Sequence, residues 1–245
     1  MKICIDAGHR NNVNDFGASG NGHKESALTL QICKQLQTQF TKLGHTVVMT
    51  RESESTTITI DGRPRKAKQN GCDWLISIHL NAAGTPQAHG VEVLYKTQKN
   101  TATIVSAKLA KATGFSNRGA KQRNDLGVLN GFGNAILVEC GFISNPQEAK
   151  QLATPSFQAL VAKAIVEGFL EAQGITPTDS KLATAVAQRF GFNNATMQYL
   201  SGYKFADAMF EAFLSGRPVS GATEAYIKAY KFGGAVFEKV YGGRL

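Results

Sequence analysis

At 245 residues, 42% of them hydrophobic, the chain is long enough for one sizeable core, or for a domain of usual size with a small companion. Its four cysteines, Cys4, Cys33, Cys72 and Cys140, are far apart, show no CxxC spacing and have mostly apolar neighbours. They suggest neither a cysteine zinc site nor a disulfide framework and read as reduced core residues. The formal net charge of +9 favours anionic surfaces, yet no dense Lys/Arg run of the kind that binds nucleic acid is present, so no nucleic-acid partner is expected.

Met1 leads straight into "KICID", with no basic and apolar leader, and no apolar stretch approaches the roughly 18 residues of a membrane span. The expectation is a chain made in the cytoplasm without a signal peptide. Short β-branched runs then alternate with segments of helical period. Strands are expected at 2–6, 45–50, 73–79, 90–95 and 135–140, and helices at 25–43, near 61–70, at 101–112 and at 157–173. Strands joined by crossover helices predict an α/β domain with a largely parallel, twisted sheet flanked by helices. A stretch rich in glycine and asparagine, 118–134, is expected as a loop lining the site.

The pattern breaks at "GITPTDS" (174–180), which places a domain of usual size at 1–174, a linker at 175–180 and a small, mainly helical domain at 181–245. In that last segment "NATMQYLSGYKFADAMFEAFLSGR" (194–217) aligns without gaps to "GATEAYIKAYKFGGAVFEKVYGGR" (221–244), an offset of 27 residues. Residues 180–191 read as a degenerate third copy. Helical spacing places Phe205, Ala208, Met209, Phe213 and Phe232, Ala235, Val236, Val240 in a core. For Tyr199, Tyr203, Tyr226 and Tyr230 two readings stand: an exposed binding face of the kind that recognises glycans, or rings that cement the interface between copies.

In open α/β sheets ligands bind beyond the carboxyl ends of the strands. His9 follows the first strand, His79 ends the third and Glu139 lies near the end of the last, while Glu25 begins the first helix. Two imidazoles and a carboxylate with a fourth position open is the donor set of a catalytic zinc site, and a second carboxylate nearby would accept a proton from water. Each residue has a plainer reading: Glu25 as a first-turn helix residue, each histidine as a hydrogen-bonded strand end. Glu139 is the hardest to explain that way, because it interrupts the apolar run "AILVEC". Strand alternation turns Cys140 to the opposite face.

"IDAGHR", "GASGNGHKES", "TRES", "RPRKA", "CDWLISIHLNAA", "GVEVLY", "NRGAK", "VLN" and "ILVECGFISNPQEAKQL" occur in an order and spacing that resembles the zinc-dependent N-acetylmuramoyl-L-alanine amidases, the family of cell-wall autolysins and phage endolysins. The resemblance covers residues 1 to about 174. It implies one zinc ion held by His9, Glu25 and His79, with Glu139 as the catalytic glutamate. The implied reaction is hydrolysis of the amide between N-acetylmuramic acid and the L-alanine of the stem peptide in peptidoglycan. Arg63, Asn81 and Arg118 match family positions and are carried over as substrate-binding residues. "DAGHRN" in place of "DAGHGG", and Lys68 in place of asparagine, depart from the pattern. His23, His45 and His89 match no ligand position, His23 being the one rival by its nearness to Glu25.

The resulting expectation is a phage endolysin released to the wall by a holin, with a C-terminal repeat that binds peptidoglycan or anionic wall polymers. The alternatives are a non-catalytic wall-binding protein on an amidase fold, and a zinc peptidase of peptidoglycan. For the C-terminal segment, oligomerisation is the alternative to wall binding.

Overall fold

A computed structural model describes residues 1–10, 15–175, 180–203 and 205–242 of the chain. It divides into two compact units, Met1–Ala172 and Gln173–Leu245. Most of the expected linker, residues 176–179, lies outside the described residues.

The first unit opens with β1 (Lys2–Ala7), a short hairpin of β2 (Ser19–Gly20) and β3 (His23–Lys24), α1 (Glu25–Lys42), β4 (Thr46–Met49), α2 (Gly62–Gln69) and β5 (Trp74–Asn81). It continues through β6 (Val91–Tyr95), α3 (Lys99–Thr113), β7 (Asn117–Gln122), α4 (Gly127–Asn130), β8 (Ala135–Phe142), α5 (Pro146–Leu152) and α6 (Pro155–Ala172). The main sheet has six strands in the order β4-β1-β5-β8-β6-β7. All neighbours run parallel except β6 and β8. The α/β reading therefore holds, with one antiparallel pair.

The stretch expected as an active-site loop is corrected. Asn117–Gln122 forms the edge strand β7 and Gly127–Asn130 a helical turn. The apolar side chains of "GVLN" explain the turn, because Val128 and Leu129 are buried against Leu75, Leu94 and Leu137.

Sheet pleating sorts the side chains into two faces. On one, Trp74 of β5 meets Phe169 of α6 edge-on at 5.1 Å, and Phe169 meets Phe40 of α1 at 5.7 Å. On the other, Cys4, Leu75, Leu94, Ala135 and Leu137 form an apolar layer closed by Ala67 of α2 and by α4. Two residues further along the same face the strands carry Asp6 and Ser77, and two further still Gly8, His79 and Glu139. Glu92 of β6 joins this last row, because antiparallel pairing sets it opposite Glu139. The row from apolar to charged thus runs towards the carboxyl ends of the parallel strands.

The second unit contains α7 (Ser180–Phe190), then α8 (Asn194–Ser201) with α9 (Ala206–Ser215), then α10 (Gly221–Lys228) with α11 (Gly233–Tyr241). Each clear repeat is therefore a helix pair, and where a degenerate third copy was expected the structure has one helix. Its core holds Val186, Leu200, Met209, Phe210, Phe213, Ile227, Val236 and Phe237. Two expectations are corrected here. Phe205 and Phe232, read as core, are 54% and 51% exposed, and Ala208 and Ala235 are also exposed. Phe205 and Phe232 precede the first residues of α9 and α11, so they leave the helical face that the periodicity assigned to them.

The four tyrosines do not form an open face. They stack in the order Tyr203, Tyr226, Tyr199, Tyr230, with centroids 4.4, 4.6 and 4.5 Å apart. Tyr199 Oη donates to Tyr226 O at 2.7 Å and Tyr226 Oη donates to Tyr199 O at 2.5 Å. Exchanging the two repeats maps this stack onto itself reversed, so the rings are the seam between copies. Tyr199 and Tyr226 have a ring stacked on each face, which leaves neither inner ring a free face for a sugar.

Candidate functional site

The site is built at the carboxyl end of β1. Asp6 is fully buried, and its carboxylate accepts from Thr50 Oγ1 (2.7 Å), Ser77 Oγ (2.6 Å) and Arg63 Nη1 (2.6 Å). Burial alone would raise its pKa, but the Arg63 guanidinium and the two hydroxyls hold it below the ordinary carboxylate range. Arg63 also donates to Ala7 O (2.7 Å) and His9 O (2.9 Å). Arg51, fully buried, donates to Ala7 O, Gly8 O and Ser26 O. Two guanidinium groups thus grip the main chain that carries His9. Arg63 is 5% exposed with its bonds turned into the protein, which places it behind the site and corrects the expectation that it contacts substrate.

Held this way, His9 takes a left-handed conformation with φ 58°. Its Nδ1 donates to Asp15 Oδ1 at 2.7 Å, and its Nε2 lies 3.4 Å from Glu25 Oε2. Glu25 begins α1 and is nearly buried. Its Oε2 accepts from Ala18 N (2.9 Å) and its Oε1 from Leu80 N (3.0 Å), while His79 Nδ1 lies 3.0 Å from Oε1. The two imidazoles meet edge-on with centroids 4.9 Å apart. Ligand atoms of His9, Glu25 and His79 all lie within 4.8 Å of one another, the only such cluster among the described residues. His23 sits in β3 outside it; His45 packs on Phe40, and His89 is exposed.

Two glycines leave room for these rings. A Cβ on Gly8 would lie 2.6 Å from His79 Cε1 and Nε2, and one on Gly17 2.5 Å from Glu25 Oε2 and 2.6 Å from His9 Cδ2. Gly17 also has φ +72°, which disfavours any other residue. The donor set fits a zinc ion: two imidazoles and one carboxylate converge, and a carboxylate behind His9 fixes that ring as a metal ligand's outer partner commonly does.

The charges are tightly coupled. For Glu25, burial would raise the pKa, and the His79 and His9 imidazoles reverse this and hold it well below the usual value. For His9, burial would lower it, and the Glu25 and Asp15 carboxylates instead hold it up at about 9. Glu139 stands beside His79 in the register of β5 and β8. Its Oε2 is buried with no hydrogen-bond partner among the described residues. Burial pushes its carboxyl up to about 7, opposed by His79 and reinforced by the Glu25 and Glu92 carboxylates. Cys140 lies on the opposite face and is fully buried, and none of the four cysteines is in a disulfide.

Beyond Glu139 the row ends at Glu92. Its Oε2 accepts from Arg118 Nε (2.7 Å) and Lys121 Nζ (2.5 Å), and its Oε1 from Asn81 Nδ2 (3.0 Å). Arg118 and Asn81 are thereby brought together one strand away from Glu139. Arg51, Asp15, Glu92 and Lys121 had no role in the sequence reading. Arg51 stood in the quoted "TRES" without a function, and Glu92 interrupts "GVEVLY" just as Glu139 interrupts "AILVEC". That second interruption was the available signal.

Residues 3–171 match the family model described as N-acetylmuramoyl-L-alanine amidase, and the chain belongs to that family. It is 37% identical over 171 residues to the probable cell wall amidase LytH of Staphylococcus saprophyticus, covering 68% of this chain and 56% of that one. The chain thus spans little more than half the length of that relative. Among solved structures it is similar to the N-acetylmuramoyl-L-alanine amidase from Clostridium difficile 630, with TM-score 0.66, 31% identity and coverage of 70% of this chain and 96% of that one. It is also similar to the catalytic domain of the CD27L endolysin targeting Clostridia difficile, with TM-score 0.61, 31% identity and coverage of 70% and 97%.

Proposed function

We propose that this chain hydrolyses the amide joining the lactyl group of N-acetylmuramic acid to the L-alanine of the stem peptide. His9, Glu25 and His79 are the ligands of one Zn²⁺ in this reading, and Glu139 is the catalytic residue. The observation that carries it is the juxtaposition, in one sheet row, of a two-imidazole, one-carboxylate cluster with a second carboxylate whose buried Oε2 has no hydrogen-bond partner among the described residues.

Zinc bound there supplies Lewis acidity, lowering the pKa of water towards ~7 and polarising a carbonyl. The chain's own residues do the rest. Glu139 accepts a proton from the attacking water and delivers it to the leaving nitrogen. Burial pushes its carboxyl up in the metal-free protein, and a cation held by His9, Glu25 and His79 would lower it towards the ionised form that accepts the proton. Arg51 and Arg63 fix the His9 main chain, and Asp15 fixes the ring, so the ligand set is preorganised before metal arrives.

The second unit serves as the wall-binding module in this reading, through peptidoglycan or an anionic wall polymer. Support comes from Phe205 and Phe232, which are half exposed and occupy equivalent places in the two copies, and from Lys231 lying 4.7 Å from the Phe232 ring centroid. Likeness to an endolysin's catalytic domain supports a lytic role.

The test is digestion of purified peptidoglycan with and without a chelator, reading new amino termini by mass spectrometry. Chelator-sensitive release of peptides beginning in L-alanine is expected. Termini elsewhere in the stem would mean a peptidase, and intact walls with metal bound a non-catalytic protein. Co-sedimentation of the chain with walls, with and without Phe205→Ser and Phe232→Ser, tests the second unit.

A further inference from the structure

Glu92 receives two cations on one oxygen, so the cluster of Glu92, Arg118 and Lys121 keeps one positive charge in excess. Arg118 is fixed from two sides. Its Nε is bonded to Glu92, and its guanidinium carbon lies 5.0 Å from the Phe142 ring centroid. Among the described residues neither of its Nη nitrogens has a hydrogen-bond partner, and the side chain is 38% exposed. Lys121 is 42% exposed. Between Val91 and Val93 the register of β6 and β7 shifts, so that Arg118 and Gly119 together oppose Glu92. Such a bulge re-aims side chains beside a site. The arrangement presents an oriented guanidinium fork and an ammonium group to something outside.

We infer that Arg118 and Lys121, positioned by Glu92, receive the α-carboxylate of the second residue of the stem peptide. The assignment rests on the amidase reading and names the part of the substrate that this edge reads. Geometry sets the distance. Glu92 is one strand from Glu139, about 4.8 Å in the hydrogen-bonding direction, and its cations extend further outward. From the scissile nitrogen, one residue of extended chain followed by the next α-carbon and its carboxylate spans roughly 7 Å. A guanidinium fork recognises a carboxylate through paired, charge-assisted hydrogen bonds, and a carboxamide cannot reproduce that charge. The subsite therefore discriminates a free α-carboxylate from its amide at that residue.

The test uses two synthetic muramyl peptides that differ only in carrying a carboxylate or a carboxamide at that carbon. With the zinc-loaded full chain, kcat/KM is expected to favour the carboxylate by about tenfold or more, chiefly through KM. Arg118→Met is expected to bring the ratio close to one. Lys121→Glu, at an exposed edge-strand position, is expected to invert it, which a merely structural role for the cluster would not do. Equal rates for the two peptides with the unaltered chain, or a ratio unmoved in both variants, would overturn the assignment and leave the amidase reading standing. Cleavage of neither peptide would overturn both.

Discussion

Asp6 and Arg63 form an ion pair of 2.6 Å that is sealed from solvent, and the same guanidinium reaches past it to the carbonyl of His9. The pair therefore belongs to the fold and to the site at once. Arg63→Ala strands a buried carboxylate with only two hydroxyl partners, and the expected loss is about 3–5 kcal/mol of stability, read by chemical denaturation of the full chain. Arg63→Lys keeps the charge without the fork, so it should recover part of that stability while zinc affinity remains weakened. Because the Asp6 pKa is depressed, its contribution is present above the ordinary carboxylate pKa and is lost as pH falls through the folded value. Unchanged stability of Arg63→Ala at neutral pH would contradict this account.

How much of this could be read from the sequence follows from what sequence order encodes. His79 and Glu139 were legible because each ends or interrupts an apolar strand, and strand alternation alone assigns a face. Glu25 was legible as a carboxylate at a helix start, and its role came from the resemblance. Arg51, Asp15 and Glu92 were not, because their meaning lies in pairing between strands and in the path of the His9 loop. The repeat was visible as a 27-residue offset, but periodicity does not say which ring of one copy faces which ring of the other. Hence Tyr199 and Tyr226 were open to two readings that only their reciprocal hydrogen bonds separate.

Glu139→Gln should leave zinc content and fold intact while lowering turnover by roughly 10²–10⁴-fold, measured by peptide release and by metal analysis of the same sample. The stability change has a definite sign. A carboxyl whose folded pKa is raised to about 7 loses stability as pH rises from the ordinary carboxylate value to 7, and that cost persists above it. In the metal-free protein the glutamine variant should therefore gain on the parent as pH rises, reaching a constant advantage above about 7. Turnover within a few-fold of the parent would remove Glu139 from the proton-transfer role.

Metal uptake should depend on pH through His9. Glu25 and Asp15 hold its imidazole at about 9 in the metal-free protein, so near neutrality the ring carries a proton that a bound metal must displace. Apparent zinc affinity is expected to rise about tenfold per pH unit between about 7 and 9 and to flatten above that, as measured by competition with a chromophoric chelator. Asp15→Asn removes one of the two carboxylates that support the proton, so its affinity curve should flatten at a lower pH. The stabilisation that His9 draws from the carboxylates is present below about 6.5 and disappears as pH rises through 9, so zinc replaces it where it fades. A pH-independent affinity across this range would show that the proton is not on His9.

The tyrosine seam should decide whether the second unit is one cooperative structure or two helix pairs. Tyr199 and Tyr226 each donate a hydroxyl hydrogen to the other's carbonyl and each stack on two rings, so neither repeat completes its own surface. Tyr226→Phe removes one hydrogen bond and keeps the stack, which should cost about 0.5–1.5 kcal/mol. Tyr226→Ala opens the stack at an inner position and should cost about 3–5 kcal/mol, exposing both copies together. Amide exchange in the full chain reads this directly: protection should fall in α8 to α11 as a block while β1, β5 and β8 keep theirs. Loss confined to α10 and α11 would mean that the copies hold themselves up separately and that the shared rings only decorate their boundary.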